Sequence, residues 1–235
     1  MNGSDGMVLV VEKSSAMPRV PLETLKKFGL KVQVVHSSRE AIIAIWLNKP
    51  IVVFLAAELD DGTTGVSVQT AIKVAGEQYS PSVIALNHEI EPSQVDWRLN
   101  RNYPNLASNT YMAMKAALID QDFKKVLLVE NPLAEMKVPE RVFAPAGCVL
   151  IDTRYTAESA RDAVWRERPS IIVLDGKLGA DTPGEGFLKA LAVIKDYSPI
   201  VIGLSEELAT EFHAARGPDL EIQLVAALRE ASDRL

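Results

Sequence analysis

Three polar residues in the C-terminal half each close a short apolar run. Glu130 ends Leu127-Leu-Val-Glu, Asp175 ends Ile171-Ile-Val-Leu-Asp, and Ser205 ends Ile200-Val-Ile-Gly-Leu-Ser. In an open α/β sheet the carboxyl ends of the strands border a crevice, so acids ending neighbouring strands converge there and can hold a hard divalent cation. Mg2+ held in this way would neutralise the charge gathering on a transferred phosphoryl group while a carboxylate attacks it in line. The N-terminal half reads differently at the same place, where Phe54-Leu55-Ala56 stands opposite Val173-Leu174-Asp175 and offers no carboxylate.

The comparison between halves rests on a duplication. Val8-Leu-Val-Val-Glu12 recurs as Val126-Leu-Leu-Val-Glu130, Val20-Pro21 as Val138-Pro139, Gly29 as Gly147, and Tyr79-Ser80-Pro81 as Tyr197-Ser198-Pro199, each 118 residues on; Lys49-Pro50 answers Arg168-Pro169 at 119. One folding unit is present twice, so the halves should share a topology. In each, β-rich apolar runs alternate with helix-patterned stretches, the pattern of a parallel sheet covered by helices on both faces. The expected strands are Met7 to Val11, Lys31 to Val35, Ile51 to Leu55 and Ser82 to Leu86, then Lys125 to Val129, Cys148 to Asp152, Ser170 to Leu174 and Ile200 to Leu204. Their continuous rather than alternating hydrophobicity fits burial on both faces.

Helices are expected over Leu22 to Phe28, Ser38 to Leu47, Gly65 to Gln78, Ala157 to Glu167 and Gly184 to Lys195, with Arg141 to Pro145 helical only in part. Ser38 and Thr156 are read as N-caps of the second helices. Pro18, Pro21, Pro132, Pro139 and Pro145 crowd the first helices, which should be short, late-starting or distorted. The junction, Leu118 to Lys124, has no Gly, Pro or Ser-rich linker character, which implies little freedom between the units.

At these strand-end residues the chain resembles the receiver domains of bacterial response regulators, as a tandem pair covering nearly its whole length. A receiver carries acidic residues after strand one, a phosphoacceptor Asp ending strand three, a Thr or Ser ending strand four and a Lys after strand five. Glu130, Asp175 and Ser205 match three of these positions. The resemblance implies two doubly wound, flavodoxin-like domains: a pseudo-receiver over 1–120 and a receiver-like domain over 121–235, truncated after strand four. It implies Asp175 as the phosphoacceptor and Ser205 as the switch hydroxyl that hydrogen-bonds the new phosphoryl oxygen. Glu130, Asn131 and Asp175 would form a weak Mg2+ site. The implied partners are other signalling proteins, a histidine kinase or a downstream regulator, met through protein–protein contact and without enzymatic turnover.

The departures from the family pattern shape the rest of the reading. Asn131 stands where the family supplies a metal-binding carboxylate, which weakens any Mg2+ site. Only 30 residues follow Ser205, and none of Glu206 to Leu235 is Lys. A full ending of helix, strand, Lys-Pro loop and helix needs about 40. A shortened fourth helix over Glu207 to Ala215, a turn at Gly217-Pro218 and a last helix from Asp219 to Ser232 are therefore expected, with strand five missing or vestigial. Arg216 is read as a surface arginine ahead of the alternative that it supplies a cation near the phosphoryl site. In the first half Ala56 replaces the phosphoacceptor, Lys13 the metal-binding acid and Asn87 the switch hydroxyl, so aspartyl phosphorylation by the family mechanism is excluded there.

Other chemistry-bearing residues have plainer readings. Glu58, Asp60 and Asp61 follow Ala56 as turn residues rather than a metal site. Gly179 to Gly186 lacks the Lys-Ser/Thr ending of a phosphate-binding loop and is read as the lead into a helix. His36, His88 and His213 are isolated from one another, which argues against zinc. Trp46 and Trp165 are read as core or interface anchors, and Trp97 as part of a fourth helix. A net charge of -6 and pI near 5.2 argue against nucleic acid, no run approaches the roughly 20 apolar residues of a membrane span, and the lone Cys148 fits a buried strand residue in a reducing cytoplasm. Any homodimer is expected to use the first half or an unfamiliar face. Three alternatives stay open: a phosphorylation-independent scaffold, the N-terminal regulatory fragment of a longer regulator with an effector domain, and an enzyme of another doubly wound family.

Overall fold

The computed structural model describes residues 6–17, 19–75, 79–86, 95–99, 105–178 and 182–235. The chain divides into two compact units between Asp122 and Phe123. The first contains β1 (Met7–Val11), α1 (Leu22–Lys26), β2 (Lys31–Val35), α2 (Ser38–Asn48), β3 (Val52–Leu55), α3 (Gly65–Val74), β4 (Ser82–Ala85), β5 (Trp97–Arg98) and α4 (Leu106–Asp120). The second contains β6 (Lys124–Val129), two 3-10 turns (Glu140–Val142 and Ala144–Ala146), β7 (Cys148–Arg154), α5 (Ala157–Glu167), β8 (Ile171–Leu174), the hairpin β9 (Lys177–Leu178) and β10 (Thr182–Pro183), α6 (Gly184–Ala192), β11 (Ile200–Gly203), β12 (Phe212–His213) and α7 (Leu220–Asp233).

Both main sheets are parallel and share one order. The first runs β2-β1-β3-β4-β5 and the second β7-β6-β8-β11-β12. This is the 2-1-3-4-5 winding of flavodoxin-like sheets, whose ligand crevice lies at the carboxyl ends of strands one and three. The central apolar runs, β1, β3, β4, β8 and most of β6, become strands because each buries both faces, whereas the edge strand β2 is only half-buried. In β6, Val126 and Leu128 pack with Leu224 and Leu228 of α7, whereas Leu127 and Val129 pack with Val164 of α5 and Phe187 of α6. Among the described residues no helix is long and apolar enough to cross a membrane.

The duplication extends to details of hydrogen bonding. Lys49 and Arg168 end α2 and α5 in the left-handed region, at φ 44 and 46. The prolines that follow accept equivalent bonds, Tyr79 Oη to the Pro50 carbonyl at 2.9 Å and Tyr197 Oη to the Pro169 carbonyl at 2.7 Å. Thr156 caps α5 by accepting from the Ser159 N–H, but α2 is capped by Ser37, one residue earlier than expected, in a capping box with Glu40. Ser38 instead donates to Asp61. The prolines have the expected effect: α1 is five residues long and begins only after Pro21, and its counterpart is a pair of 3-10 turns with Pro145 inside the second.

Three expectations are corrected. The second unit is not truncated after strand four, because β12 pairs in parallel with Ile202 and Gly203 of β11 and α7 follows it. The shortfall falls on the helix expected over Glu207 to Ala215: only eight residues join β11 to β12, too few for a helix and two connections, and turns occupy them. Trp97 lies in β5, paired with Ile84, rather than in a helix. Of the two readings of Trp46 and Trp165, exposures of 52% and 56% remove the core and leave the interface.

Candidate functional site

The candidate site lies at the carboxyl tips of the second sheet. The ladder continues one residue past each strand: Glu130 N–H donates to the Arg154 carbonyl at 2.8 Å, Asp175 N–H to Val129 at 2.9 Å, and Leu204 N–H to Leu174 at 2.8 Å. Because Val129 and Leu174 are in register, the residues after them, Glu130 and Asp175, stand side by side. Both are nearly enclosed, at 3% and 7% exposure.

Two buried carboxylates this close require a cation, and Arg216 supplies it. Its Nη2 is 2.8 Å from Asp175 Oδ2 and 3.1 Å from Glu130 Oε1, and its Nε is 3.5 Å from Asp175 Oδ1. The third arm, Nη1, donates to the Met136 carbonyl. With the side chain only 20% exposed, Arg216 is a constituent of the crevice and not the surface arginine read from the sequence. Backbone donors complete the shell: Asn131 N–H to Asp175 Oδ2 at 3.0 Å, Gly176 N–H to Asp175 Oδ1 at 3.1 Å, and Val138 N–H to Glu130 Oε1 at 2.9 Å. Lys137 adds a second positive charge, 3.8 Å from Glu130 Oε2 and 2.6 Å from the Asn131 carbonyl.

Asn131 therefore enters the site through its backbone. Its side-chain oxygen accepts from the Leu133 N–H at 2.9 Å, an Asx turn. Ser205 packs against the residue after Asp175: a Cβ added to Gly176 would fall 2.8 Å from Ser205 Cβ and 3.0 Å from its Oγ. The Ser205 hydroxyl accepts from Glu207 N–H at 3.2 Å, and its carbonyl lies 3.3 Å from His213 Nδ1, which ties β12 to the tip of β11. The four residues predicted from sequence are thus brought to one end of the sheet. For Arg216 the lesser of the two sequence readings, a cation in the crevice, is the one the contacts support, while the Met136–Lys137 segment was missed as a constituent. The only signal for Arg216 was a basic residue ahead of Gly217-Pro218, just past a short apolar run, and nothing marked Met136.

Mg2+ is held by oxygen ligands in near-octahedral geometry at about 2.0–2.1 Å. Here the facing carboxylate oxygens are directed at the Arg216 guanidinium and at backbone N–H groups, and the Asn131 side chain is turned away. No cluster of three or more His, Cys, Asp or Glu among the described residues could hold a metal ion. The residues as arranged do not fit a divalent ion alongside Arg216.

The first unit has the same frame and other contents. Ala56 N–H donates to Val11 at 2.9 Å, as Asp175 does to Val129, so Ala56 occupies the acceptor position without its carboxylate. Glu12 is buried at the tip of β1. Lys13 Nζ reaches Glu58 Oε2 at 2.5 Å, Asp60 accepts from Ser14 N–H at 3.1 Å, and Asp61 binds Thr63 and Ser38 through both hydroxyls and both N–H groups. These donors hold Glu58, Asp60 and Asp61 below the usual carboxylate range, through the Lys13 ammonium, Ser14 and the Thr63 hydroxyl respectively. The three acids are spent on loop architecture, in keeping with the turn reading. Asn87 and His88 lie outside the described residues, as do residues 179–181 of the glycine-rich loop, whose flanks pair as the β9–β10 hairpin leading into α6.

No family model and no curated protein matches the chain. Solved structures do. A protein assigned as a two-component system response regulator/GGDEF domain protein aligns over 97% of this chain and 100% of its own, at 15% identity and TM-score 0.40. The receiver domain of the sensor histidine kinase PA1611 from Pseudomonas aeruginosa PAO1, which has magnesium in its active-site cleft, covers 48% of this chain and 98% of its own, at 14% identity and TM-score 0.41. A two-component response regulator from Clostridium difficile covers 50% and 99%, at 20% identity and TM-score 0.42. These neighbours are receiver domains and regulators of two-component systems. Likeness at such identity concerns the fold, which the strand order already establishes.

Proposed function

We propose that the chain is a signalling protein of the two-component type that acts through protein–protein contact and not through turnover. One observation carries the reading: Glu130, Asp175, Ser205 and Arg216 stand at or just beyond the tips of strands one, three, four and five of a 2-1-3-4-5 sheet, an acid, an acid, a hydroxyl and a cation around one crevice. The first unit is a pseudo-receiver, since Ala56 offers no nucleophile.

Two forms of this reading differ only at Asp175. In the first, Asp175 accepts a phosphoryl group: a carboxylate oxygen forms the new bond to phosphorus, the donor leaves with its electron pair, Arg216 follows the added charge, and the Ser205 hydroxyl leaves Glu207 N–H for a phosphoryl oxygen. In the second, Asp175 is a structural anion and the unit is a fixed docking module. The contacts favour the second. Both Asp175 oxygens already have partners, the residue is 7% exposed, and the crevice lacks the oxygen geometry that Mg2+ requires.

The test is incubation with Mg2+ and a small phosphodonor or beryllofluoride, read by intact mass and by NMR shifts, on the wild type and on Asp175→Ala. The fixed-module form predicts no adduct and no shift in either protein. A phosphoryl mass on the wild type that Asp175→Ala abolishes would overturn it in favour of the acceptor form.

A further inference from the structure

The geometry points to Arg216 as the resident cation of the crevice, occupying the place where a divalent ion would sit between Glu130 and Asp175. This rests on the crevice described above. It adds how that crevice is held: by a charge built into the chain rather than by a metal taken from solution.

Three observations converge. A single nitrogen, Nη2, contacts both acids, at 2.8 and 3.1 Å, so one positive centre bridges the two strand tips. The guanidinium is anchored from a third direction by the Met136 carbonyl, which fixes its plane. The N–H groups of Asn131 and Gly176 take the two Asp175 oxygens, and that of Val138 takes Glu130 Oε1. Counting Lys137, two cations balance two carboxylates, and the local sum of formal charges is zero.

An arginine stays protonated over the whole physiological range, and its planar fork suits two carboxylates at once. The charge balance is therefore independent of metal supply. A divalent ion entering the present arrangement would bring two further charges to a neutral cluster and compete with Arg216 for the same oxygens. With Arg216 gone, Glu130 and Asp175 would face each other with Lys137, nearly half exposed, as the remaining cation. That is an acidic pair suited to a divalent ion.

The experiment measures metal binding directly, with no phosphodonor present, so its outcome is separate from the adduct test. Mn2+ binding is followed by electron paramagnetic resonance, and melting temperature with and without Mg2+, for the wild type, Arg216→Gln and Arg216→Gln/Asp175→Ala. The wild type should show no saturable site at low millimolar Mn2+ and no Mg2+-dependent melting shift. Arg216→Gln should melt lower, bind Mn2+ at least about tenfold more tightly and regain part of its melting temperature with Mg2+. The gain should vanish in the double variant. Wild-type binding as tight as that of folded Arg216→Gln, or no gain in that variant, would overturn the inference. If Arg216→Gln does not fold, Arg216→Lys takes its place, since an ammonium lacks the second nitrogen on Asp175 and the arm on the Met136 carbonyl that hold the guanidinium in place; a gain of a few fold supports the inference and no gain overturns it.

Discussion

Two glycines in α6, two residues apart, should respond to the same substitution with opposite signs. Gly184 begins the helix with its N–H donating to the Gly176 carbonyl at 2.8 Å. A Cβ there would lie 2.4 Å from the Asp175 carbonyl oxygen, whereas real Cβ atoms essentially never come closer than 3.0 Å, so helix or strand tip must move by about 0.6 Å. The obstructing atom is backbone, which cannot rotate away, and Leu208 Cδ2 at 3.3 Å blocks retreat on another side. Overpacking of this kind costs about 1–3 kcal/mol, offset by the roughly 0.5–1 kcal/mol gained by removing a helical glycine. The net expectation for Gly184→Ala is a loss of about 1–2 kcal/mol. Gly186 has nothing within 4 Å of the same virtual atom, so Gly186→Ala should gain about 0.5–1 kcal/mol. Urea unfolding with unchanged m-values is the assay, read as midpoint shifts in opposite directions. In the first unit Gly65→Ala should repeat the loss, its Cβ falling 2.5 Å from the Ala56 carbonyl. A Gly184→Ala protein as stable as Gly186→Ala would refute the claim that close helix–strand approach holds the Asp175 peptide in place.

The twin tyrosines offer a test of the duplication. Tyr79→Phe and Tyr197→Phe each delete a single hydroxyl bond to a proline carbonyl and should each cost about 1 kcal/mol, and the double variant should lose the sum because the sites belong to separate units. A double variant no less stable than either single one would contradict this. Cys148 supplies a pH dependence: burial pushes its thiol up to about 12, above an unfolded value near 8.5. The folded pKa is raised, so the contribution is fully present below pH about 8.5 and is lost as pH climbs towards 12, at about 1.4 kcal/mol per unit. Denaturation at pH 7.5 and 9.5 should show the wild type losing roughly that much more than Cys148→Ala; equal losses would place the thiol in contact with solvent.

Most of the fold was legible because its signals are local. Met7–Val11 and Lys31–Val35 are apolar-rich runs bounded by turns, and Ala157–Glu167 starts at a capping threonine, so all three elements fall where expected. The misses share a physical cause. A two-residue strand such as Trp97–Arg98 or Phe212–His213 has no periodicity to detect. In α2 every residue from Ala41 to Leu47 is apolar, so the sequence does not mark which face is buried; Ala41, Ala44 and Ile45 turn inward while Ile43, Trp46 and Leu47 face solvent. Arg216 meets acids 41 and 86 positions away, a juxtaposition only the assembled sheet creates.

The two crevices can be understood as two answers to one electrostatic problem. Acids ending strands one and three of this fold are forced together in a nearly dry place, and two unit charges roughly 5 Å apart repel by about 3 kcal/mol at an effective dielectric near 20. In the second unit both acids remain and Arg216 spans them. In the first, the acid of strand three is Ala56, which removes one of the two charges instead. The glutamate of strand one is buried in both units, at 1% and 3% exposure, and in the second it has a task separate from any metal: it accepts the Val138 N–H, a donor in a segment whose prolines prevent regular helical bonding. In the second unit the acid at that position therefore has a structural role beside its ion pair with Arg216. Asp175 has a different standing. Its N–H partners, at Asn131 and Gly176, are those of a loop folded around a carboxylate, and its charge is tolerated only through the guanidinium, so Asp175 and Arg216 should be retained or lost together while Glu130 can outlast both.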